Sequence, residues 1–239
     1  MEVGKQYADM YENYYSGNEV NIKREIAARQ TLGHIVEVTD GRRFEKVLDI
    51  GAGNGSVLQE LESSDICSEF SAVEISKSGV EAIRSRNLSR LKEVKLFDGY
   101  NIDFPDNSSD LGLAVHVLEH VEHERQFLME SARVCKHIYV EVHLEHTRYI
   151  DRSIRISGEF GHINFYTADT FRNILVTSGL QVEAMRVFYH DRDYEVLLSG
   201  RWKGEVKYQI RKHALALWPR LAMRHLVYMA GALCSTRPA

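Results

Sequence analysis

The segment from Val47 to Leu58, VLDIGAGNGSVL, constrains the fold of this chain more than any other. A short apolar run containing Asp49 is followed by three alternate glycines, Gly51, Gly53 and Gly55, and then by an amphipathic pattern. This pattern is typical of a strand, a tight turn and a helix N-terminus, where glycine lets a ligand approach the main chain. Doubly wound sheets bind nucleotides at this end of a strand. The segment therefore predicts a nucleotide-type cofactor.

The rest of the chain alternates between short apolar runs and amphipathic segments. The predicted helices cover residues 21–38, 54–64, 76–86, 121–134 and 168–178, and the predicted strands cover 46–50, 70–75, 94–97, 111–117, 137–142, 181–189 and 194–199. Strands that alternate with helices form parallel sheets, and the last two strands predict an antiparallel hairpin. The expected fold is therefore α/β, with a doubly wound, mostly parallel seven-stranded sheet.

Composition divides the chain into three parts. Residues 1–40 are predicted as an N-terminal helical cap or lid, residues 41–200 as the nucleotide-binding domain, and residues 201–239 as a basic amphipathic helical tail. The tail has a net charge of +7, whereas residues 1–200 have −11. An acidic body argues against nucleic acid as a partner. A basic amphipathic tail can contact an anionic membrane, or it can pack on the body or on a second copy in a homodimer.

The cysteines indicate a reducing compartment. Cys67, Cys135 and Cys234 are far apart and form no CxxC pair, so they predict neither a disulfide framework nor a zinc site. The sequence also has no apolar stretch long enough to span a bilayer and no basic-then-apolar leader. We expect a cytoplasmic protein, which the tail could bring to the inner membrane surface.

The spacing of the glycines narrows the choice of cofactor. A dinucleotide fingerprint requires G-x-G-x-x-G, but Ser56 occupies the third glycine position. This argues against a nicotinamide-dependent oxidoreductase. Glu74 ends the second predicted strand, where a carboxylate can accept hydrogen bonds from both hydroxyls of a ribose.

Five segments, taken in order, resemble the class I S-adenosylmethionine (SAM)-dependent methyltransferases, in the small-molecule group with an L-E-H motif. They are VLDIGAGNGSVL at 47–58, AVEIS at 72–76, FDG at 97–99 with DFPDNSSD at 103–110, VLEHV at 117–121 and GHINFYT at 161–167. The resemblance covers roughly residues 40–200. It implies a Rossmann-like methyltransferase fold, with SAM as the cofactor of residues 41–200.

The resemblance also implies a role for individual residues. The implied SAM-binding residues are Asp49 at the amino group, Gly51, Gly53 and Gly55 at the methionyl part, Glu74 at the ribose, Asp98 and Gly99 at the adenine, and His116 near the methionine end. Glu119 and His120, from the L-E-H motif, are interpreted as local scaffold.

Methyl transfer requires an acceptor held in line with the activated methyl group. A hydroxyl acceptor also needs a base with a pKa near the working pH, and histidine suits this best. His143 and His162 lie at the two ends of the long loop after the strand at 137–142, and they are the predicted catalytic residues. We expect no metal, although four loop residues form an alternative divalent-cation set: His143, Glu145, His146 and His162. Three N-terminal tyrosines are candidates for a lid over the site: Tyr11, Tyr14 and Tyr15.

The expected function is SAM-dependent O-methylation of a small hydroxylated acceptor, such as a sugar, a polyketide or a lipid-linked glycan. One alternative is N-methylation of an amino sugar or a small amine. Another, from a different class, is a non-catalytic SAM-fold protein used for binding or assembly. The presence of Asp49, Glu74 and Asp98 together favours an enzyme, because a degenerate fold would be expected to lose some of them.

Overall fold

A computed structural model describes residues 18–236, with side chains from residue 22 onward. The tyrosines predicted as a lid, Tyr11, Tyr14 and Tyr15, lie outside the described residues. The strands are β1 (Phe44–Ile50), β2 (Cys67–Glu74), β3 (Leu91–Leu96), β4 (Ser109–Val115), β5 (Cys135–Leu144), β6 (Leu180–Phe188) and β7 (Tyr228–Thr236). The helices are α1 (Asn18–Val38), α2 (Ser56–Glu62), α3 (Lys77–Ser85), α4 (Glu124–Val134), α5 (Ile150–Ser157), α6 (Ala168–Thr177), α7 (Arg192–Ser199), α8 (Arg201–Leu217) and α9 (Pro219–His225).

The seven strands form one sheet in the order β3-β2-β1-β4-β5-β7-β6. Strands β1 to β5 run parallel to one another, and β7 runs antiparallel to both β5 and β6. The predicted doubly wound, mostly parallel sheet with a terminal antiparallel hairpin is therefore confirmed. The strand order reverses between β1 and β4, and such switch points are where open α/β sheets bind ligands.

The core has two layers, one on each side of the sheet, and β1 is buried between them. Leu48 and Ile50 pack with residues of α4 and α6, whereas Val47 packs with Ile35 of α1 and with residues of α2 and α3. Near-continuous burial of this kind is expected of a parallel strand covered by helices on both sides. It also brings the end of β1, and the glycine turn after it, to the centre of the molecule.

The second strand of the hairpin is not the predicted one. Residues 194–199 belong to helix α7, and the strand is β7, from the end of the segment predicted as a helical tail. Seven of the nine residues of β7 are buried. A short apolar run fits a buried strand as well as a helix, so periodicity alone does not separate the two. The helical prediction for residues 201–239 therefore describes α8 and α9 but fails at the C-terminal end.

The face of α1 also differs from its prediction. The apolar pattern of the sequence predicts an inner face of Ile22, Ile26, Leu32, Ile35 and Val36, yet Ile22 and Val36 are 56% and 41% exposed. Gln30 and His34 are buried instead, because the Gln30 amide donates to the Tyr189 carbonyl and His34 bonds to a carboxylate of β5. These polar contacts hold α1 with Gln30 and His34, and not Ile22 and Val36, on its buried side.

Several local signals define where the helices begin. The Ser76 side chain accepts from the Gly79 amide at the start of α3, and Thr167 forms a capping box with Thr170 at the start of α6. The long loop predicted after β5 contains helix α5 and a 3-10 turn, Gly158–Phe160. None of the helices in the described part is both long and apolar enough to cross a bilayer.

Candidate active site

A large cleft opens at the carboxyl ends of β1, β2, β4 and β5. Its volume is about 1300 Å³, and it is lined by the glycine turn after β1 on one side and by a group of histidines on the other. Pockets for single small ligands usually measure about 300–1,000 Å³, so the cleft has room for a cofactor together with an acceptor. Helix α1 lines part of the same cleft through Lys23, Ala27 and Thr31.

The glycine turn has the backbone that only glycine adopts without strain. Gly51, Gly53 and Gly55 have φ values of 81°, 57° and 75°. A Cβ at Gly51 would lie 2.7 Å from Cγ2 of Val117, so the turn packs too closely for any side chain there. Gly51 and Gly53 line the cleft, whereas Gly55 caps α2 and faces Ile83 on the other side of the turn. The predicted glycines therefore divide into two at the cleft and one behind it.

Asp49 places an unsatisfied carboxylate at the edge of the cleft. The residue is 3% exposed, and its Oδ2 atom is buried without a hydrogen-bond partner. Burial, aided by the charge of Glu74, raises the pKa of Asp49 to about 7. A buried acceptor of this kind calls for a cationic donor, which the amino group of SAM would supply. The residue therefore fits the role implied by the family resemblance.

Glu74 ends β2 and ties it to the glycine turn. One carboxylate oxygen accepts from the Gly53 amide at 2.9 Å, and the other accepts from the Ser76 amide and hydroxyl at 3.0 and 2.9 Å. A carboxylate has about four acceptor sites, so one remains for a ligand hydroxyl. In this conformation Glu74 can take one ribose hydrogen bond and also hold the turn in place.

Asp98 and Gly99 line the cleft just beyond β3. One Asp98 oxygen accepts from the amides of Tyr100 and Asn101 at 2.8 and 2.7 Å, and the other accepts from the Asn101 side chain. Asp98 thus stabilises its own turn and keeps one acceptor site for a ligand amino group. Gly99 has a φ of 93°.

His116 follows β4 and lies between two buried carboxylates. Its Nδ1 is 3.4 Å from Oε1 of Glu119, and its Nε2 is 3.3 Å from Oε1 of Glu141. Burial opposes a charge on the ring, but hydrogen bonds and the charges of the two glutamates outweigh it and raise the pKa of His116 to about 10. With a φ of 53°, the residue adopts a left-handed backbone that is uncommon outside glycine. His116 is therefore protonated at neutral pH, and its charge is paired with two carboxylates beside the glycine turn.

The two predicted catalytic histidines line the cleft, and each is held by a glutamate. Nδ1 of His143 lies 3.1 Å from Oε1 of Glu119, and Nδ1 of His162 lies 2.8 Å from Oε2 of Glu145. The two rings are 5.8 Å apart. Burial and the neighbouring charge of His116 lower the pKa of His143. His143 is thus a neutral imidazole at neutral pH, which is the form that can accept a proton.

The metal alternative predicted from the loop is not assembled as a set. His146 is exposed and lies outside the cleft lining, whereas Glu145 bonds directly to His162. Among the described residues, His116, Glu119 and His143 bring potential ligand atoms within 4.8 Å of one another. The rings of His116 and His143 are stacked, however, with centroids 4.1 Å apart and planes 24° apart. A metal ion lies near the plane of each imidazole that binds it, so stacked rings do not suit a shared ion.

The sequence did not predict several residues that lie beside His116 and His143. Glu141 is fully buried in β5 and accepts from His34 at 3.0 Å and from the Tyr139 hydroxyl. His190 lines the cleft with its ring stacked 4.4 Å from Tyr194. The available signal for Glu141 was a lone carboxylate in the apolar run of β5, because a buried charge needs partners. His34 and His190 carried no such signal.

Comparisons with known proteins identify a domain and a fold. The family described as "Methyltransferase domain" matches residues 48–137, which include the glycine turn, Glu74, Asp98 and His116. A search of curated proteins finds no significant match.

Solved structures resemble the whole fold. Geranyl diphosphate C-methyltransferase from Streptomyces coelicolor A3(2), in complex with Mg²⁺, geranyl diphosphate and S-adenosyl-L-homocysteine, is 10% identical with a TM-score of 0.67, and the match covers 98% of both chains. Phosphoethanolamine N-methyltransferase 2 from Haemonchus contortus, in complex with phosphomonomethylethanolamine and S-adenosylhomocysteine, is 13% identical with a TM-score of 0.66, and the match covers 95% of this chain and 59% of that one. The cyclase SpnF is 16% identical with a TM-score of 0.62, and the match covers 88% and 82%.

At these identities the solved structures establish the fold, and the family match adds the methyltransferase domain itself. In the cleft, Asp49 has an unsatisfied buried oxygen beside a glycine turn that leaves the main chain bare. The chain therefore carries a methyltransferase domain on the Rossmann-like fold of SAM-dependent methyltransferases.

Proposed function

We propose that the enzyme methylates a hydroxyl group of a small acceptor, with His143 or His162 as the base. The observation that carries this proposal is that both histidines line the cleft of the glycine turn, each with Nδ1 held by a glutamate. Because a carboxylate only accepts hydrogen bonds, Nδ1 carries the proton in a neutral ring. Nε2 is then the atom that can take a proton from the acceptor.

SAM, when bound, supplies a methyl group that its sulfonium already activates. In the proposal Asp49, Gly51 and Gly53 hold its methionyl end, Glu74 and Asp98 hold the ribose and the adenine, and His116 lies near the methionine end. The histidines then accept the hydroxyl proton at Nε2 as the acceptor loses it. General-base assistance of this kind contributes about 10²–10⁴-fold to a rate.

The mouth of the cleft favours an acceptor with an apolar part. Five cleft-lining side chains are large, apolar and 42–56% exposed: Ile22, Ile156, Phe160, Leu197 and Leu198. Exposed apolar groups that surround one opening often mark a binding site. A polyketide or a lipid-linked glycan matches these five apolar side chains better than a free sugar does.

The terminal segments are part of the same proposal. Residues 1–40 act as a cap, which is supported by the cleft-lining residues of α1. In residues 201–239, α8 and α9 carry seven Lys or Arg residues and one acid, and both Trp202 on α8 and Trp218 between the two helices are exposed. A basic helical surface with exposed tryptophans suits peripheral contact of a cytoplasmic enzyme with an anionic inner membrane surface. Dimerisation through this surface is the competing outcome.

The experiment is a methyl-transfer assay with isotopically labelled SAM and three acceptors. These are a sugar nucleotide, a polyprenyl-phosphate-linked sugar and an amino sugar, and NMR of the product locates the methyl group. A methyl ether would support the proposal, whereas an N-methyl product would favour the amine alternative.

Two variants, H143A and H162A, test the base. At least one of them should lower turnover about 10²-fold or more while its affinity for SAM stays within a factor of two. Normal turnover in both variants would contradict a histidine base. Binding of SAM without transfer to any of the three acceptors would favour a role other than methyl transfer to these compounds. A cyclase is among the structural neighbours, so this fold also hosts other chemistry.

A further inference from the structure

Glu119 contacts the backbone and the ring of His143 through a single oxygen. Its Oε1 accepts from the His143 amide at 2.8 Å and lies 3.1 Å from Nδ1 of the His143 ring. Glu119 itself is fully buried in the 3-10 turn Leu118–His120, and its own carbonyl accepts the amides of Ile163 and Asn164. The glutamate is therefore fixed by its surroundings before it fixes the histidine.

This contact decides which nitrogen of His143 carries the proton. Free imidazole exchanges between two neutral tautomers, but an ionised carboxylate can only accept. The pKa of Glu119 is held well below its usual value, against the effect of burial, by hydrogen bonds to His116 and His143. Glu119 is therefore ionised across the physiological range, and the proton of a neutral His143 ring lies on Nδ1.

Other groups around His143 determine whether the ring is neutral. The His143 ring stacks on the charged His116 ring with centroids 4.1 Å apart. The ring centroids of His162 and His190 lie 5.8 and 6.2 Å from that of His143. Glu119 and Glu145 favour a charge on His143, whereas burial and His116 oppose it more strongly. Glu119 also pairs with His116, so one carboxylate neutralises the charged ring and orients the neutral one.

We infer that Glu119 is a positioning residue, which fixes His143 with Nδ1–H toward its carboxylate and with Nε2 as the free acceptor. The inference rests on the proposed function only for the use that catalysis makes of Nε2. It deepens that proposal, because it assigns a role to a residue of the L-E-H motif that sequence reasoning treats as scaffold. It also explains why two histidines from neighbouring strand ends share one glutamate.

The test is NMR of protein labelled with ¹⁵N-histidine, in complex with S-adenosylhomocysteine and without acceptor. Spectra of H143A assign the His143 signals by difference. In the wild type, Nδ1 should show the shift of a protonated nitrogen and Nε2 that of an unprotonated one. In E119Q the amide can donate as well as accept, so the Nδ1–H preference should be lost.

The matched control is E141Q, which removes a partner of His116 and His34 but does not touch His143. It should leave the tautomer of His143 unchanged. With an active acceptor in hand, E119Q should lower kcat about 10²-fold or more with little change in the KM for SAM. Melting temperatures of both variants report any general loss of structure.

A wild-type His143 with its proton on Nε2 would overturn the inference, even if E119Q does not fold. That result would leave the proposed function intact, because His162 could still be the base. Conversely, the expected tautomer together with normal turnover of H143A would support the positioning role of Glu119 and contradict only the use of His143 as the base.

Discussion

The rings of His116 and His143 stack with their centroids 4.1 Å apart, although one ring is charged and the other is neutral. The two residues follow or end the neighbouring parallel strands β4 and β5, and the amide of His116 donates to the carbonyl of Glu141 at 2.9 Å. His116 has a left-handed backbone, with a φ of 53°. The stack thus places a protonated ring against the candidate base at neutral pH.

This pairing predicts an unusual pH profile for turnover. Because the pKa of His143 is lowered from 6.5, its ring stays unprotonated to more acid pH than an ordinary histidine. Turnover should therefore begin to fall only below pH 6.5 and should decline as the pH drops further. Replacing His116 with Asn, which tolerates a left-handed backbone, removes the charge and should move this limb toward higher pH. A limb that stays in place in H116N, measured as kcat against pH, would contradict the coupling.

Asp49 predicts that binding of S-adenosylhomocysteine releases protons near neutral pH. This product lacks the sulfonium charge, so it tests the amino-group contact alone. The pKa of Asp49 is raised to about 7, and a ligand ammonium should favour its ionised form. Affinity should fall as the pH drops below 7, and calorimetry in two buffers of different ionisation enthalpy should detect the released protons. In D49N the proton release should disappear and the affinity should be lower at pH 8.

The same residue should limit stability in the absence of ligand. Its folded-state pKa lies above the unfolded value of 3.8, so the folded protein holds this proton more tightly. The free energy of unfolding should therefore decrease as the pH rises from about 4 to 7 and level off above 7. At pH 8, D49N should be more stable than the wild type by up to about 4 kcal/mol, since the pKa rises from 3.8 to about 7 and each unit corresponds to about 1.4 kcal/mol. Urea denaturation at pH 5 and pH 8 measures this difference, and an equal effect at both values would contradict the assignment.

The fold was largely predictable because its strands carry a strong local signal. Four of the five parallel strands, all but the partly charged β3, contain short apolar runs, and β1 leads directly into a glycine turn. The last strand was not predictable in the same way. The apolar run of β7 has no alternation because both of its faces are buried, and a helical extension of α9 explains such a run equally well.

The candidate site also contains residues that the sequence predicts and contacts that it does not. Asp49, Glu74 and Asp98 are placed by motifs that lie at strand ends, so their positions followed from sequence order. The pairing of His143 with Glu119, and of His34 with Glu141, joins residues 24 and 107 positions apart. No periodicity encodes such contacts, because they depend on the register of β4 and β5 and on the rotation of α1.

We expect the basic helices α8 and α9 to bind anionic membranes. The chain has only two tryptophans: Trp202 on α8 is 83% exposed, and Trp218, between α8 and α9, is 62% exposed. Vesicles of phosphatidylglycerol should therefore shift the intrinsic fluorescence to shorter wavelength, and phosphatidylcholine vesicles should not. The shift should weaken at high salt, because surface charges are screened.

A charge-reversal pair gives the control for this surface. R220E in α9 should weaken vesicle binding, whereas R172E, at an exposed position on α6, should not. Equal loss in both variants would indicate a response to net charge alone. A blue shift that depends on protein concentration and needs no lipid would instead favour the dimer.

The position of β7 between β5 and β6 can be tested through Gly231. A Cβ at this residue would lie 2.4 Å from the hydroxyl oxygen of Tyr139, a fully buried side chain of β5. G231A should therefore lower the free energy of unfolding by about 1–3 kcal/mol, because overpacking forces the neighbours to shift.

G158A is the matched control, since nothing lies within 4 Å of its added methyl group and its φ of −61° suits any residue. In the background of Y139F, which removes the hydroxyl, the same G231A substitution should cost less. Equal stability of G231A and G158A in urea would show that β7 does not pack on Tyr139 in this register, and that the hairpin closing the sheet is formed by another segment.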